Sequence, residues 1–244
     1  MDQFQQKPKD AAAEQIECLI IANGLKTHDK LPGERELCEV YGFNRMTLRS
    51  AIQKLIVQGL IYNKPGAGTF VAEPKLSRSF SDLKSMTEFA HENGLTLSTA
   101  VISFDETESN KDISKRLKVM LGSRVYVLTR LRTISDVPLS VETVYISADR
   151  FPGLMAYDFG ATSLYKVLEE DYHIRIDCGE ELISVTYLNG FEAKLLKKPE
   201  NTHAFFVRST TWDDGGNTVE HIKSVTRADH FHYTNVLNYS ARMK

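Results

Sequence analysis

The run from Pro32 to Ala72 is punctuated so closely by helix-ending and turn-forming residues that few folds accommodate it. Pro32 precedes "GERELCEVYGF", with Glu34 and Glu36 in a first helical turn, where the helix dipole favours acids. Gly42 ends that helix. Asn44, two residues on, is a good N-cap for the next. The second helix carries Leu48, Ala51, Ile52, Leu55 and Ile56 on one face and stops at Gly59. Leu60–Tyr62 and Thr69–Ala72 then read as short strands around the Gly-rich tip "NKPGAG". Two helices joined by so short a Gly-containing turn make a helix-turn-helix, and the hairpin after them adds a wing. Upstream, residues 10–25 form a helix with Asp10 as the expected N-cap, three alanines, and Ile16, Leu19 and Ile20 at helical spacing.

Charge follows the same division. The 244-residue chain has a formal net charge of -2, so nothing draws it as a whole to nucleic acid or anionic lipid. From Val40 to Ala72, however, there is no Asp or Glu and there are four Lys or Arg. The second helix of a helix-turn-helix presents its first residues to base edges in the major groove. Here these are Asn44, Arg45, Met46, Thr47 and Arg49. Arg45 and Arg49, one helical turn apart, share a face opposite the Leu48–Ile52–Leu55 stripe. A guanidinium there can fork onto O6 and N7 of guanine, worth about 1–3 kcal/mol of discrimination, and a carboxylate would repel phosphates. Thr47 suits a phosphate or a thymine methyl. Arg35, at the start of the preceding helix, is placed to reach the backbone or a base. A blander reading competes: a solvated face, with Thr47 an ordinary surface residue and Arg49 paired to Glu39. Gly66 and Gly68 either let the tip approach a minor groove or phosphate, or simply make the turn, and the residues leave both open.

At 42% hydrophobic residues the length suits two domains with real cores. Residues 1–73 are expected as the DNA-binding domain, 74–82 as a Ser-rich linker and 83–244 as a second domain. The latter alternates helices (110–118, "TSLYKVLEEDY", "GFEAKLLKK") with strands ("RVYVLTRLRTI", "LSVETVYI", "CGEELISVTYL") and a terminal hairpin around "DGGN". That order is α+β on an antiparallel sheet. No internal repeat stands out. In "RVYVLTRLRTI", period two puts Arg130 and Arg132 on one face with Tyr126 and Leu128, roughly 7 Å apart. Glu142 on the next strand falls near Arg132. The group is either a surface salt-bridge ladder or an anion clamp with a carboxylate beside it, and pattern alone does not choose.

The N-terminal residues show no signal-peptide core, and no apolar run approaches the roughly 18 residues of a membrane span, so no membrane partner is expected. Cys18, Cys38 and Cys178 are too few and too widely spaced for a disulfide framework or zinc site, and read as buried thiols in a reducing cytoplasm. His230 and His232 share a strand face without a third ligand nearby, so neither a metal nor a cofactor is called for.

The stretch "LPGERELCEVYGFNRMTLRSAIQKLIVQGLIYNKPGAGTFVA" resembles the DNA-binding domain of GntR-type bacterial transcription regulators. The family pattern is Leu-Pro-Ser-Glu-Arg-Glu-Leu, then Ser-Arg-Met-Thr-Val-Arg, then Gly-x-Gly-Thr-Phe-Val. Here Gly33 replaces the usual Ser, Asn44 the usual cap, and Ala67 stands where the wing often has Arg or Lys. The resemblance implies that Arg35, Arg45, Arg49 and the wing glycine Gly66 contact double-stranded operator DNA, with a homodimer binding a two-fold-related site.

Downstream, "RLRTISDVPLSVETVYISADRFPGL", "SLYKVL" and the "VE…RAD" ending resemble the UTRA effector domain of the HutC subfamily. This implies a chorismate-lyase-like fold that binds a small molecule. By motif, Thr87, Arg130, Arg132 and Ser163 would hold an anion, Glu142 and Glu220 would contact the rest, and Tyr165 would line the site, with His221 at its border. A sugar phosphate or another small acid is the expected effector, and a cytoplasmic repressor of a carbohydrate uptake or catabolic operon the expected function. The alternative is a chorismate-lyase-like enzyme acting on a small aromatic acid, for which no nucleophile–base pair, metal motif or phosphate loop is evident.

Overall fold

The computed structural model of the chain describes residues 7–79 and 83–235. Two compact units divide it, Met1–Leu76 and Ser77–Lys244.

The first unit contains α1 (Pro8–Ala22), α2 (Glu34–Tyr41), α3 (Arg45–Gln58), β1 (Ile61–Lys64) and β2 (Gly68–Val71). α1 begins earlier than Asp10. Lys7 occupies the cap position and Pro8 the first turn, where a missing N–H is no loss. Asp10 instead lies inside that turn and accepts from Lys54 Nζ at 2.8 Å, tying α1 to α3. α2 ends at Gly42, left-handed at φ 70°. After Phe43, Asn44 caps α3 by accepting from the Thr47 N–H at 2.8 Å. Leu48, Ala51, Ile52 and Leu55 of α3 pack with Ala12, Ala13, Ile16, Leu37 and Ile61 into one core. Burying a side chain such as Leu48 or Leu55 contributes about 1.5–3 kcal/mol. β1 and β2 pair antiparallel, Ile61 with Val71 and Tyr62 with Phe70, whose rings stack at 5.5 Å.

In the second unit, the stretch expected as a linker supplies a strand, β3 (Leu76–Ser79); residues 80–82 lie outside the described residues. α4 (Met86–Glu92) opens with a capping box between Ser85 and Glu88. β4 (Leu97–Glu108), α5 (Lys111–Leu117), β5 (Arg124–Ile134), β6 (Val137–Ser147), α6 (Leu164–Glu170), β7 (Ile176–Tyr187), α7 (Gly190–Leu196), β8 (His203–Asp213), β9 (Thr218–Arg227) and β10 (Phe231–Thr234) follow. β4 to β9 form one antiparallel sheet in the order β4-β5-β6-β9-β8-β7, and β3 pairs with β10 in a separate ribbon.

That order exposes a repeat that inspection of the sequence misses. Strand, short helix, strand, hairpin, strand occurs twice, as β4-α5-β5-β6 and β7-α7-β8-β9. Asn110 and Asn189 cap the two helices, and Lys118 and Lys197 end them at φ 55° and 52°. Arg124 and His203 start the next strands, each of the three pairs lying 79 positions apart. The halves share caps and lengths but little else, so the repeat is geometric.

One sheet face packs Tyr126, Leu128, Val144 and Ile146 against Leu164, Val167 and Leu168 of α6. The other is covered by α5, over Val125 and Tyr145, and α7, over Val141 and Val225. The expectation of buried cysteines fails. Cys18 and Cys178 are exposed and Cys38 is half-buried, because Cys18 faces outward from α1 and Cys178 lies on the edge strand β7.

Candidate functional site

The first candidate surface is the start of α3. Arg45, Met46 and Arg49 are exposed and Thr47 is half-buried by the turn it closes. Arg45 has no hydrogen-bond or ion-pair partner among the described residues. Arg49 Nε donates to Glu34 Oε2 at 2.9 Å, and Arg35 Nε to Glu39 Oε1 at 2.9 Å. The competing pairing is thus realised with a different partner: Glu34 rather than Glu39 holds Arg49. Both pairs are solvent-exposed, with Arg35 and Arg49 side chains 83% and 67% accessible. Such pairs are weak and exchange readily for a phosphate or guanine edge. α3 itself carries no acid, and the carboxylates beside it, on α2, hold two arginines in place without burying them. At the wing tip, Gly66 has φ 74° and open space around it, so its backbone requires a glycine.

The second candidate site is a cavity inside the second unit. It is lined by all seven residues that the sequence nominated: Thr87, Arg130, Arg132, Glu142, Ser163, Tyr165 and Glu220. Its volume of about 80 Å³ is several times what one ordered water needs. Alternation along β5 places Arg130 and Arg132 on the inward face, 5% and 4% exposed. Glu142 lies directly across from Arg130 and also comes near Arg132, as the sequence placed it. Its Oε1 accepts from Arg130 Nη2 and stands 3.8 Å from Arg132 Nη1. Burial pushes the Glu142 pKa up, but the two guanidiniums outweigh it and hold the carboxyl below the usual range. Arg132 also donates to Thr87 Oγ1 at 3.2 Å. Burial pulls the Arg132 pKa down, against the attraction of Glu142.

Opposite them, Tyr165 donates to Glu220 Oε1 at 2.7 Å. Burial raises Glu220 to about 7, more than Tyr165 and Arg130 lower it. Burial, then the adjacent Glu220, pushes Tyr165 well above its ordinary value. Three buried polar atoms among these residues find no partner among the described residues: Arg130 Nε, Arg132 Nε and Glu220 Oε2. Orphaned buried groups are costly, and the three residues that carry them line one cavity. The arrangement offers donors with net positive charge on the β5 side and a carboxyl acceptor on the β9 side.

His221 is misplaced by the sequence reading. Alternation on β9 turns it to the opposite sheet face, where its Nδ1 meets Thr210 Oγ1 at 2.9 Å. Burial lowers its pKa to about 4. The cavity also gathers Arg78, Glu181 and Tyr233, which sequence reasoning missed. The Ser-rich composition around Arg78 reads as linker, and Glu181 sits in a mostly exposed edge strand. Only the Phe231–Tyr233 alternation carried a signal. Among the described residues, no group of three or more His, Cys, Asp or Glu is placed to hold a metal, and no helix is long and apolar enough to cross a membrane.

A winged helix-turn-helix with exposed arginines, joined to a sheet domain enclosing a polar cavity, defines the class of ligand-responsive DNA-binding regulators. Residues 8–71 match the bacterial regulatory proteins of the gntR family, and residues 92–232 match the UTRA domain. The chain belongs to the gntR-family transcription regulators with a UTRA domain, the HutC type, which are regulators and not enzymes. It is 28% identical over 225 residues to the HTH-type transcriptional repressor NagR of Bacillus subtilis (strain 168), covering 92% of both chains. It is 25% identical over 210 residues to the probable fructoselysine utilization operon transcriptional repressor of Escherichia coli (strain K12), covering 86% of each. The crystal structure of PhnF from Mycobacterium smegmatis superposes with a TM-score of 0.68 at 25% identity, covering 94% of this chain and all of that one. The enzymatic alternative finds no support among these proteins.

Proposed function

We propose that the protein is a cytoplasmic, homodimeric repressor of a carbohydrate uptake or catabolic operon. It releases its operator when a small anion, a sugar phosphate, fills the cavity of the second unit. Arg45, Arg49 and Arg35 read or position the DNA, with Asn44 and Thr47 ordering the helix start and Gly66 bringing the wing tip close. Arg130, Arg132, Thr87 and Ser163 hold the anion, while Glu142, Tyr165 and Glu220 meet the hydroxyls. The observation that carries this reading is the pair of buried guanidiniums on the wall of one cavity, sharing a single carboxylate and each with an Nε that has no partner among the described residues. A phosphoryl group supplies several strong acceptor oxygens, and charge-assisted bonds to it are about twice as strong as neutral ones. A relative named for fructoselysine utilization supports a sugar-derived effector.

Release requires that the effector bind the DNA-free state better than the DNA-bound one, and by linkage operator DNA then weakens the effector by the same factor. The test is thermal-shift screening of the full chain against sugar phosphates and small acids, followed by titration of operator DNA with and without each hit. A sugar phosphate that raises Tm and lowers operator affinity is the expected result. A hit that leaves DNA affinity unchanged refutes the regulatory reading, and hits confined to non-phosphorylated acids refute the effector class.

A further inference from the structure

Arg78, on β3, lines the effector cavity, and no role has been assigned to it. We propose that Arg78 is a third cationic arm of the effector site, and that its capture by the bound anion reports occupancy to the strand that continues the DNA-binding unit. The proposal rests on the effector reading above and adds a residue and a route to it.

Charge is the first argument. Arg130 and Arg132 share one carboxylate, Glu142, and together offer one net positive charge. A phosphate monoester brings about 1.5 to 2 negative charges. Lys84, also on the wall, is held by Glu92 at 2.8 Å. Arg78 forms no ion pair among the described residues and is a third guanidinium on the wall, where it also offsets the Glu181 carboxyl.

Reach is the second. The Arg78 charge bears on Glu142, Tyr165, Glu181 and Tyr233, on four elements that surround the cavity. At Glu181, burial pushes the carboxyl up and Arg78 opposes it.

Exchangeability is the third. Arg78 Nη2 now donates to the Lys84 carbonyl at 2.9 Å. A neutral carbonyl is a weaker acceptor than a phosphate oxygen, so an anion in the cavity takes the guanidinium over.

Position in the chain is the fourth. The first unit ends at Leu76 and β3 spans Leu76–Ser79. The strand is held by β10, with Thr234 Oγ1 donating to Arg78 O at 3.4 Å. Of the guanidiniums lining the cavity, only the one on β3 lies directly on the chain leading out of the first unit. An anion that grips Arg78 therefore clamps β3 as well as the sheet.

The test is amide hydrogen exchange on the full chain with and without inorganic phosphate and a set of hexose and amino-hexose 6-phosphates, for wild type, Arg78→Gln and Arg78→Lys. Unliganded exchange patterns establish that each variant is folded. In the wild type a bound sugar phosphate should slow exchange on β5 and β6, and on β3 by about fivefold or more. In Arg78→Gln the β5 and β6 slowing should persist with affinity weakened about tenfold, while the β3 slowing disappears. Arg78→Lys, which keeps charge without the fork, should bind better than Arg78→Gln and recover the β3 effect only in part. Full β3 slowing in Arg78→Gln overturns the proposal. Loss of all binding in both variants at saturating probe also overturns it, because Arg78 would then hold the cavity together and report nothing. A wild type that responds to no sugar phosphate overturns the effector reading, and this proposal with it.

Discussion

Glu220→Gln isolates the consequence of burying one carboxyl in the effector cavity. Glu220 is 0% exposed, and burial lifts its pKa from the ordinary 4.5 to about 7. The folded chain therefore keeps a proton through a pH range in which the unfolded chain has lost it. Where the native state binds more protons, stability falls as pH rises. The loss begins near the unfolded value and is complete above the folded one. At about 1.36 kcal/mol per pKa unit, Glu220 withdraws roughly 3 kcal/mol by pH 8 and roughly 1 kcal/mol by pH 5. Glutamine keeps an acceptor for the Tyr165 hydroxyl and cannot ionise. The variant should therefore be the more stable protein at pH 8, with its advantage reduced by about 2 kcal/mol at pH 5. For a unit of this size each kcal/mol moves Tm by about 2–4 °C. Melting curves of the effector-unit transition at the two pH values read the difference directly, expected at about 6–12 °C at pH 8. An advantage independent of pH, or a variant less stable at pH 8, refutes the argument that Glu220 is held protonated by burial.

Arg45→Ala should weaken operator binding by about 1–3 kcal/mol and relax selectivity, measured by fluorescence anisotropy on specific and scrambled duplexes, with the effector-unit Tm unchanged. Glu34→Gln, which frees Arg49 from its exposed partner, should strengthen binding to any duplex at low salt, a gain that vanishes as added salt screens both charges. Leu128→Ala, at a position 1% exposed in the core beneath α6, should lower the stability of the second unit by about 2–5 kcal/mol in urea titration.

The elements most legible in the sequence are those whose own side chains settle their surroundings. α3 is marked by its cap, its apolar stripe and its terminal glycine, and β5 by alternation from Tyr126 to Ile134. Arg130, Arg132, Glu142 and Glu220 converge because alternation puts them on one sheet face, and the family motif adds Thr87, Ser163 and Tyr165 from α4 and the start of α6. What escaped has a physical reason in each case. β4 is largely exposed and bulged between Val101 and Ser103, so it lacks the burial pattern of a strand. β3 has a linker's composition, and its pairing with β10 spans most of the second unit, a contact no local pattern encodes. The duplication resides in cap positions and element lengths, which propensity does not register. His221 was grouped with Glu220 by adjacency, where period two separates neighbours.

The doubled β-α-β-β scaffold carries its cavity guanidiniums on one half only. The counterparts of Arg130 and Arg132, 79 positions on, are Ser209 and Thr211. A guest seated across the seam thus meets an electropositive wall from the first copy and a wall of hydroxyls and carboxyls from the second, and must itself be lopsided: anionic at one pole, neutral and hydrogen-bonding at the other. On the proposed reading, side-chain exchanges along β8 and β9 retune which neutral group is recognised while the anion's seat, built by the other copy, stays intact.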